Sequence, residues 1–156
     1  LEPLSKNSIE TLNAWHARFM SEKIEKILLP KAQAVVDKHK TQGDTVLVIT
    51  ATNSFVTAPI VKCYGIEHLL ATNPEVKKGH FTGKVEGEPC FQKGKISHLN
   101  KWLKQTGESM KGASFYSDSH NDLPMLELVD NPIVVHGDDK LQAIAKQRGW
   151  PSLDWT

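Results

Sequence analysis

Two cysteines, Cys63 and Cys90, are too few for a disulfide framework or a four-cysteine metal site. Reduced thiols, as in a cytoplasmic protein, are the expectation. Charge of one sign is lacking too. Nineteen Lys and Arg face 18 Asp and Glu, a net charge of +1, which argues against a nucleic-acid footprint or an acidic tail. Long apolar runs are missing: stretches such as Val46 to Ile49 fall far short of the ~20 residues of a membrane span. Nothing at the start resembles a secretory leader, so none is expected, and neither a nucleic acid nor a membrane is expected as partner. The chain opens on Leu1 rather than Met, as a processed product or a fragment would. What is present, 156 residues with 39% hydrophobic and 24% charged, suits one domain with a buried core.

Apolar residues at helical spacing (Ile9, Leu12, Trp15, Phe19, Ile24, Ile27) predict an amphipathic helix near 8–28, with Asn7 and Glu10 as its capping pair. Pro30 suits the first turn of a second helix, with Ala34, Val35 and His39 toward a core and Gly43 as the stop. The β-branched, apolar stretch 45–50 (TVLVIT) reads as a strand buried on both faces. A helix over 55–64 and a short strand over 68–71 follow. Glycines and prolines then punctuate 73–94, an excursion with a β-hairpin that includes 80–85. Ile96, Leu99, Trp102 and Leu103 restore the helical period. A strand over 113–117, a short helix over 123–129, a strand over 132–135 and a helix over 141–148, stopped by Gly149, complete the chain. Strands alternating with helices predict an α/β, Rossmann-like fold with a mostly parallel sheet covered on both faces. The first helix stands outside that alternation.

Ligands of open parallel sheets bind at the carboxyl ends of the strands, which isolates three places. One is Thr50-Ala51-Thr52-Asn53, where a hydroxyl and the N–H groups of a helix start suit an anion. On spacing alone, Thr50 ending a strand and Asn53 or Ser54 capping a helix is the stronger reading. A second is Tyr116 through Asp122. Two carboxylates four residues apart, Asp118 and Asp122, converge across a strand-to-helix turn, and hard oxygen donors there suit Mg²⁺. The competing reading, that either acid caps the helix near Leu123, weighs about equally. The third is Lys95, a cation at a helix start where it opposes the helix dipole unless an anion is near. Solvation alone is the ordinary fate of such a lysine. The seven histidines show no HExxH or short paired spacing, so zinc is not expected, and His120 reads by default as a solvated loop residue, with a place lining the site as its other reading. Trp150 and Trp155 are expected to pack.

A strand ending in Thr, a Lys before a helix, and a strand ending in Asp-Ser-x-Asn-Asp occur here in that order. The order resembles the second, third and fourth motifs of the haloacid dehalogenase superfamily, and within it the phosphoserine-phosphatase-like subfamily (IB) with a helical cap. Val48-Ile49-Thr50-Ala51-Thr52, Phe81-Thr82-Gly83, Gly94-Lys95-Ile96, Tyr116 through Pro124 and Arg148-Gly149-Trp150 carry the likeness, which runs over nearly the whole chain. The resemblance implies that Thr50, with Ala51, holds a phosphoryl oxygen. Lys95 would neutralise the phosphate and the attacking carboxylate. Asp118 would bind Mg²⁺, and Asp122 with Asn121 would orient that shell and Lys95. Such charges suit phosphoryl transfer.

One departure from the family pattern is large. The Asp-x-Asp-x-Thr motif that would carry the nucleophile is absent, and none of the eight aspartates (37, 44, 118, 122, 130, 138, 139, 154) forms an Asp-x-Asp triplet. The expectation is therefore a fragment: residues 1–29 the remnant of a helical cap, 30–156 an α/β core without its first, central strand. Its parent would be a Mg²⁺-dependent phosphomonoesterase acting on a small phosphorylated metabolite, and the fragment alone inactive. An N-terminal segment or a second copy would complete the sheet. The alternatives are a non-catalytic phosphate- or Mg²⁺-binding module, a subunit completed by another chain, or an α/β interaction domain whose acids are caps.

Overall fold

The computed structural model describes residues 2–21 and 28–156. Two compact units divide between Phe91 and Gln92. In the first, α1 (Glu2–Ser5), α2 (Ile9–Phe19) and α3 (Pro30–Thr41) precede β1 (Leu47–Asn53), α4 (Ser54–Cys63), β2 (His68–Lys77) and β3 (His80–Glu86). The second holds α5 (Lys93–Thr106), β4 (Ser114–Ser117), a 3₁₀ turn (His120–Asp122), α6 (Leu123–Leu128), β5 (Asn131–Val135), α7 (Asp139–Arg148) and β6 (Ser152–Leu153).

The first unit has a three-stranded sheet in the order β1-β2-β3. β1 runs parallel to β2, as the crossover through α4 requires. β3 returns antiparallel through Lys78-Gly79, both at positive φ (52° and 76°), a two-residue turn whose twist matches that of the strands. This is the expected hairpin, but β2 continues through Pro74 to Lys77 instead of ending near 71. Leu4, Leu12 and Phe81 form the core, with Ile9 and Phe55 packed on it. The edge of Phe55 meets Phe81, ring centroids 5.5 Å apart.

Three local expectations shift, and one falls outside the described residues. Ser8, not Asn7, caps α2: its hydroxyl accepts from the Thr11 N–H. Ile24 and Ile27 lie outside the described residues. Pro30 does open α3, but Ala32 is its buried residue and Ala34 is exposed. β1 starts two residues later than expected and is half-buried rather than enclosed on both faces. Its only strand partner among the described residues is β2, so its other edge is open.

All three strands of the second unit are parallel, in the order β4-β5-β6. Leu126, Val134, Leu141 and Ala145 are almost fully buried, with Phe115 and Trp150 packed against them. The Arg148 guanidinium lies 5.1 Å from the Trp150 ring centroid, and Trp155 is tilted against Tyr116 at 5.7 Å. Both tryptophans pack, as expected. The fold is α/β with parallel strands joined through helices, in two three-stranded sheets rather than the single sheet anticipated. No helix among the described residues is long and apolar enough to cross a membrane.

Candidate active site

The carboxyl end of β4 holds a cluster of hydrogen-bonded polar side chains. β4 ends at Ser117, in register with the buried Val134 of β5, and a tight turn follows before α6. The Ser119 N–H donates to Ser117 Oγ (3.1 Å), the Asn121 N–H to Ser119 Oγ (3.1 Å) and the Asp122 N–H to the Ser119 carbonyl (3.0 Å). Short polar side chains that bond nearby backbone favour such turns over continued strand.

Asp122 occupies the residue before α6, yet its side chain makes no capping bond there. Its two oxygens go elsewhere: Oδ1 accepts from Lys95 Nζ at 2.6 Å and Oδ2 from the Ser117 hydroxyl at 2.6 Å. Lys95 and Asp122 are only 8% and 7% exposed. The capping reading of Asp122 therefore fails, and so does the solvated reading of Lys95. Lys95 is the third residue of α5, where a buried cation opposes the helix dipole; the Asp122 carboxylate offsets that cost. The result is a buried ammonium held in one place at the end of a parallel strand.

Asp118 is exposed, and its carboxylate accepts no hydrogen bond among the described residues. It does not cap a helix. A free hard-oxygen donor at a strand end, beside a carboxylate already committed to a lysine, matches the way Mg²⁺ is held by one or two carboxylates, waters and a phosphate. Among the described residues no three His, Cys, Asp or Glu side chains cluster, so these residues would not supply three such ligands together. Asn121 stands on the same turn, its Oδ1 accepting from Gln92 Nε2 at 3.3 Å.

Sequence reasoning missed the contacts of three residues here. Ser117 was treated as a strand end, although a hydroxyl ending an apolar strand five residues before an acid was the available signal. His120 is exposed, as a solvated loop residue would be, and it also donates through its backbone N–H and its Nδ1 to Asp138 Oδ2, both at 2.9 Å. Asp138 itself had been only one aspartate among eight.

Thr50 and Ala51 belong to the first unit. They lie inside β1, which runs on to Asn53, rather than in a loop beyond it. Thr50 Oγ1 accepts from the Thr52 N–H at 3.2 Å, Ala51 is exposed, and the pairing with β2 becomes irregular between Ile49 and Asn53. Asn53 caps α4 through the Val56 N–H (3.0 Å), so the capping part of the plainer reading holds.

Residues 2–127 match the family model for haloacid dehalogenase-like hydrolases. The chain belongs to that family. It is 40% identical over 159 residues to a histidinol-phosphatase of Neisseria meningitidis serogroup C, covering 99% of this chain and 72% of that one. It is 35% identical over 117 residues to a phosphoserine phosphatase of Mycobacterium tuberculosis, covering 75% of this chain but 38% of that protein. The solved structure of a Bordetella pertussis Tohama I protein of unknown function matches with a TM-score of 0.95 at 43% identity, over 98% of this chain and 70% of that one. Membership of the hydrolase family and relatives named as phosphatases support a phosphatase as the enzyme class. As a haloacid dehalogenase-like hydrolase, the chain carries Lys95 and Asp122 as a buried pair, with Asp118 free beside them.

Proposed function

We propose that this chain is part of a Mg²⁺-dependent phosphomonoesterase whose substrate is a small phosphorylated metabolite, histidinol phosphate ahead of phosphoserine. The observation that carries the reading is the β4 end: a buried ammonium fixed by Asp122 and Ser117, beside the unengaged Asp118 carboxylate. The substrate preference follows the relatives, since the histidinol-phosphatase is matched at 40% over 99% of this chain and the phosphoserine phosphatase at 35% over 75%.

In this reading Asp118 holds Mg²⁺. A bound Mg²⁺ supplies charge that polarises and neutralises the phosphoryl group. Lys95 neutralises a further part of the phosphate charge, from a position that costs no reorganisation because Asp122 already holds it. Thr50 and the Ala51 backbone bind a phosphoryl oxygen, and Asn121, with Asp122, orients the Mg²⁺ shell and Lys95 beside the phosphate. Residues 1–29 act as the remnant of a cap and 30–156 as the core.

The nucleophilic carboxylate comes from outside these 156 residues, on an N-terminal segment that adds a strand. Two observations support this. No Asp-x-Asp triplet is present, and both β1 and β4 have one edge without a strand partner among the described residues. Open edges on apolar strands invite pairing. The test is to assay the full-length protein on histidinol phosphate, phosphoserine and p-nitrophenyl phosphate, with Mg²⁺ and with EDTA. Mg²⁺-dependent turnover with kcat/KM highest for histidinol phosphate is expected; equal turnover in EDTA refutes the metal reading, and a preference for phosphoserine refutes the substrate.

A further inference from the structure

We infer that Asp138 is a positioning residue, which through His120 and the Asp118 carbonyl holds the turn presenting the Asp118 carboxylate. The inference rests on the proposed metal-ligand role of Asp118 and adds to it His120, the variable position of that motif, and Asp138 from outside it. Asp138 opens α7, and its Oδ1 accepts from the Leu141 N–H at 2.8 Å, the ordinary bond of a helix cap. A cap needs one oxygen. The other, Oδ2, receives both the His120 N–H and His120 Nδ1 at 2.9 Å, and the Asp138 N–H donates to the Asp118 carbonyl at 2.9 Å. Because a carboxylate only accepts, the proton of this contact sits on His120 Nδ1.

Three bonds from one residue thus grip the turn on both sides of Ser119. On the inner side, Ser117 Oγ holds the Ser119 N–H and donates to Asp122. The Asp118 side chain has no bond of its own among the described residues, so its direction follows from the backbone that carries it. The Asp138 grip holds that backbone through bonds that do not involve Asp122 or Lys95. Residues that orient a metal ligand by hydrogen bonding typically change metal affinity about 10- to 100-fold when removed.

Substitutions separate the grip from the cap. Asp138→Ser keeps an N-cap oxygen for Leu141 and loses the one facing His120. His120→Ala removes the ring donor without touching α7, whereas His120→Asn keeps an N–H donor at the position of Nδ1. The full chain carrying each variant, and Asp118→Asn, is titrated with Mg²⁺ by calorimetry and melted without it. Expected are Mg²⁺ binding lost in Asp118→Asn and weakened about 10-fold in His120→Ala and Asp138→Ser. Affinity returns in His120→Asn, with Tm near the parent value throughout. If the unsubstituted chain does not bind Mg²⁺, or Asp118→Asn binds it equally, the metal reading fails and this inference with it. If Asp118→Asn alone loses binding, the ligand stands and the positioning role is overturned. Weakened binding that tracks a large fall in Tm, unrescued by His120→Asn, also overturns it, because Asp138 and His120 would then serve the fold alone.

Discussion

Lys95 and Asp122, 27 residues apart, meet at 2.6 Å in a buried salt bridge that joins α5 to the end of β4. Removing one partner of such a pair leaves an uncompensated charge in a low-dielectric setting, which typically costs about 3–5 kcal/mol. Lys95→Met and Asp122→Leu should each lower the urea midpoint severely. The double variant should lose far less than the two losses added, since no lone charge then remains buried. Additive losses would mean that the two groups do not stabilise one another. In the full-length protein, either single change should abolish phosphatase activity.

Ser117 provides a milder probe of the same cluster. Ser117→Ala removes the donor to Asp122 Oδ2 and the acceptor of the Ser119 N–H. A buried polar group left unsatisfied costs about 1–3 kcal/mol, so a loss in that range is expected by chemical denaturation. Ser117→Thr, which keeps the hydroxyl, should recover most of it. A Ser117→Ala protein as stable as its parent would contradict the network.

The Asp138 carboxyl is held at about 2, below its ordinary 3.8, chiefly by the His120 and Leu141 backbone N–H groups and then by the His120 side chain. A folded-state value below the unfolded one means that the stabilisation is present above about pH 4 and is lost as pH falls toward 2. The Asp138 side chain is 38% exposed, so solvent screening keeps the effect modest. The gap in urea midpoint between the parent and Asp138→Asn should be constant from pH 7 to 5 and shrink between pH 4 and 2. A gap that does not change down to pH 2 would show that Asp138 is not the titrating group.

Gly137 stands against Val134: a methyl group at its α-carbon would come within 2.5 Å of Val134 Cγ1 and 3.2 Å of Gln142 Cγ. The Gln142 chain is flexible and can move. Val134 is fully buried in the core, so the crowding has nowhere to go. Gly137→Ala should cost about 1–3 kcal/mol, as overpacking usually does, and Val134→Ala in the same chain should return part of that stability.

Period and composition made most elements legible. α5, β5 and α7 lie within a few residues of where apolar spacing and Gly149 place them. Elements with little apolar patterning were not: α1 has four residues, and β6 is two exposed residues that pair with β5 only because the chain returns there. Pro74 looked like punctuation, yet it lies buried within β2. In the candidate site, residue types named Lys95 and Asp122, but their pairing depends on packing across 27 positions, which no local pattern encodes. The Asp138 grip was illegible for the same reason. An aspartate before a helix reads as a cap, and only the fold shows its second oxygen turned to His120.

The last prediction is that the 156-residue chain alone does not hydrolyse phosphate esters. Attack on phosphorus needs a carboxylate free to act as nucleophile and held in line with the leaving oxygen. Two of the carboxylates at the β4 end are already engaged. Both oxygens of Asp122 are engaged by Lys95 and Ser117, and those of Asp138 by His120 and Leu141. Asp118 is unengaged, and in the proposed reading its carboxylate is committed to Mg²⁺ rather than to the phosphorus. Fixed positive charge without a nucleophile binds phosphate and leaves water as the attacker, which forfeits covalent catalysis. The check is to incubate the purified chain with Mg²⁺ and p-nitrophenyl phosphate, beside the full-length protein at equal concentration. The chain should stay at the background rate while the full-length protein turns over. Turnover by the chain that survives repurification and disappears in Asp118→Asn would place the nucleophile within these residues and overturn the proposal that it comes from outside.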